Sequence, residues 1–147
     1  MERRIKEENV TKNILLWMES NGWEIISFDF PQSGTGILIH PNDRTSKNVG
    51  FIPDIIAFKD DVVVFFENKD RFVFSDFEKV DNLRHSSDYT NDIHRLLQKY
   101  SYKHIYYGVA MPYTESNLQN TQSNMDKVDF ALLMKDANTY ECLGYKI

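Results

Sequence analysis

Much of the chemistry open to a small protein is closed to this one by what it lacks. The 147 residues contain a single cysteine, Cys142, which excludes an internal disulfide and a cysteine-rich zinc site. Four histidines, His40, His85, His94 and His104, are scattered along the chain. No pair of them has zinc-ligand spacing on a helix, and no Gly-x-Ser-x-Gly turn is present to present an activated serine. Glycine is also scarce. Gly34 and Gly36 form a lone Gly-x-Gly, better read as a plain turn than as a phosphate loop, so no nucleotide or organic cofactor is expected. No apolar run reaches the length of a membrane span, and the charged amino-terminal residues precede no signal-peptide core. The expectation is a cytoplasmic protein with no membrane partner. Basic charge is not in excess either: 17 basic against 22 acidic residues leave a net charge of −5, so any nucleic-acid contact has to come from local groups. The candidates are Arg3, Arg4, Lys6, Arg44, Lys47, Arg84, His85, Arg95, Lys99, Lys103 and His104, most of which would ordinarily solvate helix faces.

What is present is a chain that is 41% hydrophobic and 14% aromatic, enough for one core and too short for two. A single domain over residues 1–147 is expected, with no repeat and no linker. Val10, Ile14, Trp17 and Met18 follow helical spacing, and Asn21-Gly22 stops the helix, which is placed at about residues 3–20. Glu7 falls within this apolar stripe and Glu8 at its edge. A carboxylate there is either paired or metal-bound, or it lies in a frayed first turn where acid suits the helix dipole.

The densest signal lies between Gly50 and Arg71. Ile52–Phe58 and Val62–Phe66 are β-branched and aromatic runs joined by Lys59-Asp60-Asp61, which reads as a hairpin. With Asp60 and Asp61 as a two-residue loop, Lys59 faces Val62 and, counting back along both strands, Asp54 faces Glu67. Alternation then gives Asp54, Ile56, Phe58, Val63, Phe65, Glu67 and Lys69 one common face. Facing Cβ atoms lie ~4.5–5.5 Å apart, and two like charges at that distance destabilise a sheet unless something positive binds between them. A divalent cation is the natural occupant.

Pro53-Asp54, a spacer of twelve residues and Glu67-x-Lys69 at the ends of two predicted strands, behind a leading helix, resemble the signature of the PD-(D/E)xK nucleases. These form the restriction-endonuclease-like superfamily of type II restriction enzymes and Holliday-junction resolvases. The resemblance implies an α/β fold, a restriction-endonuclease-like α/β/α sandwich around a central mixed β-sheet. It implies a metal-dependent endodeoxyribonuclease with Glu7, Asp54, Glu67 and Lys69 as catalytic residues and Asp54 and Glu67 as metal ligands. The cofactor would be Mg²⁺, with Mn²⁺ able to substitute, and the Asn68 carbonyl a further oxygen donor. Lys69 would orient the attacking water, and Arg71 would reach the scissile phosphate while Asp70 points to solvent. DNA is the expected partner, and double-strand cleavage by one site per chain implies a homodimer, with Tyr102, Tyr106 and Tyr107 offered as its exposed interface. A small type II restriction enzyme is the leading reading. A structure-specific resolvase or a catalytically silent nuclease-fold binding module is the alternative.

The remaining elements are expected as follows. A strand at Trp23–Phe30 precedes a long polar loop, Gln32–Asn48, broken by a short apolar Ile37–Ile39 strand. Ser75-Asp76-Phe77-Glu78 reads as a capping box opening a helix with Phe77, Val80 and Leu83 inward. A polar break from His85 to Asp92 separates it from a helix at Ile93–Tyr100, and a strand follows at His104–Met111. Tyr113–Lys127, rich in Asn, Gln, Ser and Thr, reads as an exposed loop, which disfavours the resolvase because such side chains suit base edges. Asp129–Lys135 and Tyr140–Lys146 close the chain as a hairpin.

Overall fold

The computed structural model describes residues 2–29, 36–42 and 50–147, with side chains from residue 7 onward. The candidate phosphate contacts Arg44 and Lys47, the Gly34 turn and the side chains of Arg3, Arg4 and Lys6 lie outside the described residues. Four helices and six strands follow in the order α1 (Glu2–Ser20), β1 (Glu24–Phe28), β2 (Ile55–Lys59), β3 (Val62–Asn68), α2 (Phe74–His85), α3 (Thr90–Leu97), β4 (His104–Pro112), α4 (Glu115–Gln122), β5 (Phe130–Met134) and β6 (Tyr140–Gly144). A single 3₁₀ turn, Met125–Lys127, leads into β5.

The strands form one mixed sheet in sequence order from β1 to β6. The first three are antiparallel, β3, β4 and β5 are parallel, and β6 returns antiparallel. Parallel neighbours need crossovers, which α2 with α3 supply between β3 and β4, and α4 between β4 and β5. The central strands are apolar on both faces, and each face is covered. Ile55, Ala57, Val64, Phe66 and Leu132 pack with Val10, Ile14, Trp17 and Met18 of α1. The alternate residues pack the other way: Val109, Ala131 and Leu133 against Phe77 and Val80 of α2, and Ile56, Val63 and Phe65 against Leu97 of α3. The result is an α/β fold layered helix, sheet, helix.

The hairpin register is the one its loop length dictates. Lys59 pairs with Val62 and Ile55 with Phe66, and Asp60 takes a positive φ of 58° at the turn, a conformation Asp tolerates better than most residues. The stripe on α1 is likewise buried as its spacing requires.

Several expectations are corrected. The Asn/Gln-rich stretch is not a loop: it contains α4, whose Thr114 hydroxyl caps the Asn117 N–H at 3.0 Å. Its inward face is polar, Asn117 and Thr121 being buried, so no apolar period marks it in the sequence. The capping box at Ser75 is absent, because α2 begins at Phe74 behind Val73 and no side chain caps it. The Ile37–Ile39 strand reduces to one bridge between Ile39 and Phe51. Tyr102, Tyr106 and Tyr107 are half-buried in the chain's own packing; Tyr107 lies against Phe65 with ring centroids 5.1 Å apart and Tyr106 against Tyr145 at 4.0 Å. They form no exposed aromatic patch.

Candidate active site

The carboxyl ends of β3 and β4 and the start of β2 meet at one edge of the sheet, and the sequence-predicted acids converge there. One residue before β2, the Asp54 N–H donates to the Phe66 carbonyl at 3.0 Å although Phe66 is already the partner of Ile55, so the regular ladder ends at that pair and Asp54 lies near Glu67 without the facing register that the even loop implied. An Asp54 carboxylate oxygen accepts the Asn68 N–H at 2.7 Å, which fixes that side chain against the end of β3. The site thus begins where backbone pairing ends.

Its electrostatics show the cost of this arrangement. Burial, then the neighbouring Glu67 charge, push the Asp54 carboxyl up to about 7, against a partial offset from the Asn68 N–H and from Lys79. Burial also raises Glu67, while Lys79 pulls it back. A third acid, Asp29 at the end of β1, adds a weaker repulsion to Asp54 and donates its own N–H to the Asp54 carbonyl at 2.9 Å. Two carboxylates that resist ionisation next to each other are a poor structural pair. They are a good cation cradle, and perturbed acids of this kind cluster at functional sites.

The cation touching Glu67 is not the one the sequence suggests. Lys79 of α2 places Nζ 3.0 Å from Glu67 Oε1. Lys69, one residue beyond β3, instead lies 3.7 Å from Glu7 Oε1, with both side chains about one third exposed. Glu7 is therefore neither frayed nor in a first turn: α1 begins at Glu2, and Glu7 reaches the sheet end as the partner of Lys69. Lys69 still faces the acids electrostatically, lowering both Glu67 and Asp76. Asp76, in the first turn of α2, has one carboxylate oxygen buried without a hydrogen-bond partner, and burial raises its carboxyl.

Lys79 and Asp76 are the functional candidates that sequence reading missed. The two are three apart on α2 beside the buried Phe77 and Val80, so they share one side of the helix, but which strand ends that side overhangs is set by the crossover from β3 to β4 and not by the helix's own sequence. Asp70 also departs from expectation. It does not point to solvent: its side chain is 7% exposed and binds Arg71 at 2.8 Å. Arg84, offered as a phosphate contact, is a structural clamp that holds Asp81, Asp129 and the Asp126 carbonyl. Asn117 is structural too, its amide joining the Phe72 N–H at 3.0 Å to the Pro112 carbonyl at 2.9 Å, which pins the segment after Lys69.

Among the described residues no group of three His, Cys, Asp or Glu side chains is drawn together tightly enough to hold a metal ion by itself. The donors at the strand ends, Asp54 and Glu67, are all oxygen, and no imidazole or thiolate stands among them. That set suits a hard cation that keeps several waters, as Mg²⁺ does, and not a zinc ion. Compared with protein-family models, curated proteins and solved structures, the chain matches none.

Proposed function

We propose that this chain is a Mg²⁺-dependent endonuclease that hydrolyses DNA phosphodiester bonds, with a restriction-endonuclease-like fold. The observation that carries the reading is the Asp54 and Glu67 pair, close enough for their charges to repel at the open end of a hairpin, with two ammonium groups beside it. The element order supports it: a leading helix, an antiparallel three-strand meander, and a helical crossover into a parallel strand place the Pro53-Asp54 and Glu67-x-Lys69 residues at one sheet edge.

Asp54 and Glu67 would hold the cation, with the Asn68 carbonyl within the same turn of chain. Bound there, Mg²⁺ would supply Lewis acidity toward the phosphate and an acidified water. The chain's own groups do the rest. Asn68 orients Asp54 through its N–H, so the acceptor is preset before substrate arrives. Lys79 pulls the Glu67 carboxyl back toward ionisation against the burial that raises it, the direction a cation site requires. Lys69, restrained by Glu7, presents an ammonium able to orient the nucleophilic water and to stabilise charge on the phosphoryl oxygens.

A second reading gains from α4. The Asn/Gln-rich stretch favoured a sequence-reading restriction enzyme over a structure-specific resolvase, and with Asn117 and Thr121 buried in the fold that preference weakens. Both readings share the same chemistry. The test incubates wild type, Asp54→Asn, Glu67→Gln and Lys69→Ala with plasmid and with a synthetic four-way junction, in Mg²⁺ and in EDTA. Cleavage that requires Mg²⁺ and falls by roughly 10²–10⁴-fold in each variant is expected. Discrete plasmid fragments identify a restriction enzyme and junction-limited cleavage a resolvase. Full activity in Asp54→Asn rules out the nuclease reading, and binding without cleavage by wild type leaves a silent binding module.

A further inference from the structure

A cleft of about 620 Å³ lies beside the carboxylate site. Asn9, Lys12, Asn13 and Leu16 of α1, spaced three, four and seven residues from the first, form one wall as a single helical stripe. Thr114 and Lys135, just beyond β4 and β5, form the other. Ligands of open α/β sheets gather outside the carboxyl ends of parallel strands, and β3, β4 and β5 all end here.

The chemistry of the walls selects the ligand. Lys12 and Lys135 provide two ammonium groups on opposite sides, and Lys135 Nζ sits 4.8 Å above the Tyr113 ring. The acid at the inner end, Asp70, is already neutralised by Arg71 at 2.8 Å. Asn9 and Asn13 carry both donors and acceptors. Leu16, 54% exposed, forms the apolar part of the lining with Val10, Pro112 and Met134. Phosphates for two lysines, base edges for two amides and a base face for a leucine describe an unpaired polynucleotide. A cleft of this volume takes a ligand of nucleotide size, whereas a duplex would lie across its mouth with its bases stacked away from the walls.

We infer that this cleft binds single-stranded DNA, leading one strand past Asp70 and Lys69 toward the Asp54 and Glu67 pair. The inference rests on the nuclease reading for its direction and goes beyond it in naming an unpaired strand as what is held. Ends, flaps and unwound junctions are substrates that offer one.

Fluorescence anisotropy of a labelled twelve-residue oligothymidylate with the full chain, at about 50 mM salt in EDTA, tests it, beside a duplex of equal length. Lys12→Ala with Lys135→Ala should weaken strand binding by at least about tenfold and reduce the slope of log affinity against log salt by about 1.4, the share of two phosphate contacts. Leu16→Ala should weaken binding several-fold and leave the slope unchanged, a split that a general loss of structure does not produce. Unchanged affinity and slope in the double variant overturn the inference, and so does a wild type that holds duplex as tightly as single strand. Mg²⁺-dependent plasmid cleavage by wild type and Asp54→Asn is measured in the same preparations. Cleavage lost in Asp54→Asn with strand binding unaffected by the lysines sinks the cleft and spares the nuclease. Lysine-dependent strand binding with full Asp54→Asn cleavage does the reverse.

Discussion

Asp54 is held where its ionised form is disfavoured, and that has a measurable consequence for the cation-free protein. Its carboxyl is pushed up to about 7 from an ordinary 3.8, first by burial and then by Glu67. Between those values the folded chain keeps a proton that the unfolded chain has released, so this group's contribution to stability falls as pH rises from about 4 to about 7 and stays low above it. Asparagine at this position keeps an acceptor for the Asn68 N–H and removes the charge. In EDTA, Asp54→Asn should be more stable than wild type by roughly 2 kcal/mol at about pH 8 and no more stable at about pH 4, as read by urea unfolding. Equal stability at both pH values would contradict the burial and repulsion described for this pair. Lys79 has the opposite effect on Glu67, lowering a carboxyl that burial raises. Lys79→Met removes that support, Glu67 takes up its proton at higher pH, and the acidic limb of the cleavage profile should move upward. A loss of roughly tenfold at about pH 6 that largely recovers by about pH 9 is expected from initial rates at saturating Mg²⁺. A uniform loss across pH would assign Lys79 a different role.

Among the elements, α2 and α4 exchange the roles their sequences suggest. Ser75 looks like a cap and lies inside α2, whereas Thr114 sits in what reads as a polar loop and caps α4 through the Asn117 N–H. Thr114→Ala should therefore cost about 1 kcal/mol and Ser75→Ala less than about 0.5 kcal/mol in chemical denaturation. The reverse order would restore the capping box. The same contrast explains what was legible in advance. The β2–β3 register from Lys59 with Val62 to Ile55 with Phe66 could be read because an even loop and a two-residue period leave no freedom, which brings Asp54 and Glu67 to the same strand end, whereas the break in the ladder at Asp54 could not be read. The α1 phase could be read because Val10, Ile14, Trp17 and Met18 bury against the sheet in one stripe, while for Glu7 the same stripe left a paired carboxylate and a frayed first turn both open. α4 could not, since Asn117 and Thr121 take inward positions, where Asn117 accepts the N–H of the distant Phe72 and Thr121 donates to the Met111 sulfur, information that no local window holds. Lys79 and Asp76 were hidden for a related reason: the helix was visible, but which strand ends it overhangs is decided by the crossover from β3 to β4. The partnership of Lys69 with Glu7 instead of Glu67 is likewise tertiary, made by two residues 62 positions apart in the chain.

Taken whole, the molecule carries a net charge of −5 and places buried acids at the open edge of its sheet, which ought to repel both DNA and its own folding. On the proposed reading a cation at that edge would relieve both at once, because it would bind the folded arrangement of Asp54 and Glu67 and find no such arrangement in the unfolded chain. Linkage then fixes the size of the effect. Mg²⁺ at ten times its dissociation constant stabilises by RT ln 11, about 1.4 kcal/mol, which for a chain of this length is a rise in melting temperature of about 3–6 °C. Thermal unfolding followed by circular dichroism over a Mg²⁺ series should show that rise saturating with concentration, and Asp54→Asn should abolish it while keeping the higher starting stability predicted for the uncharged site. Sodium chloride at matched ionic strength separates specific binding from screening, since screening acts on the whole surface charge and would raise wild type and variant alike. A melting temperature indifferent to Mg²⁺, or one that rises equally in Asp54→Asn, would mean that Asp54 and Glu67 are not a metal site.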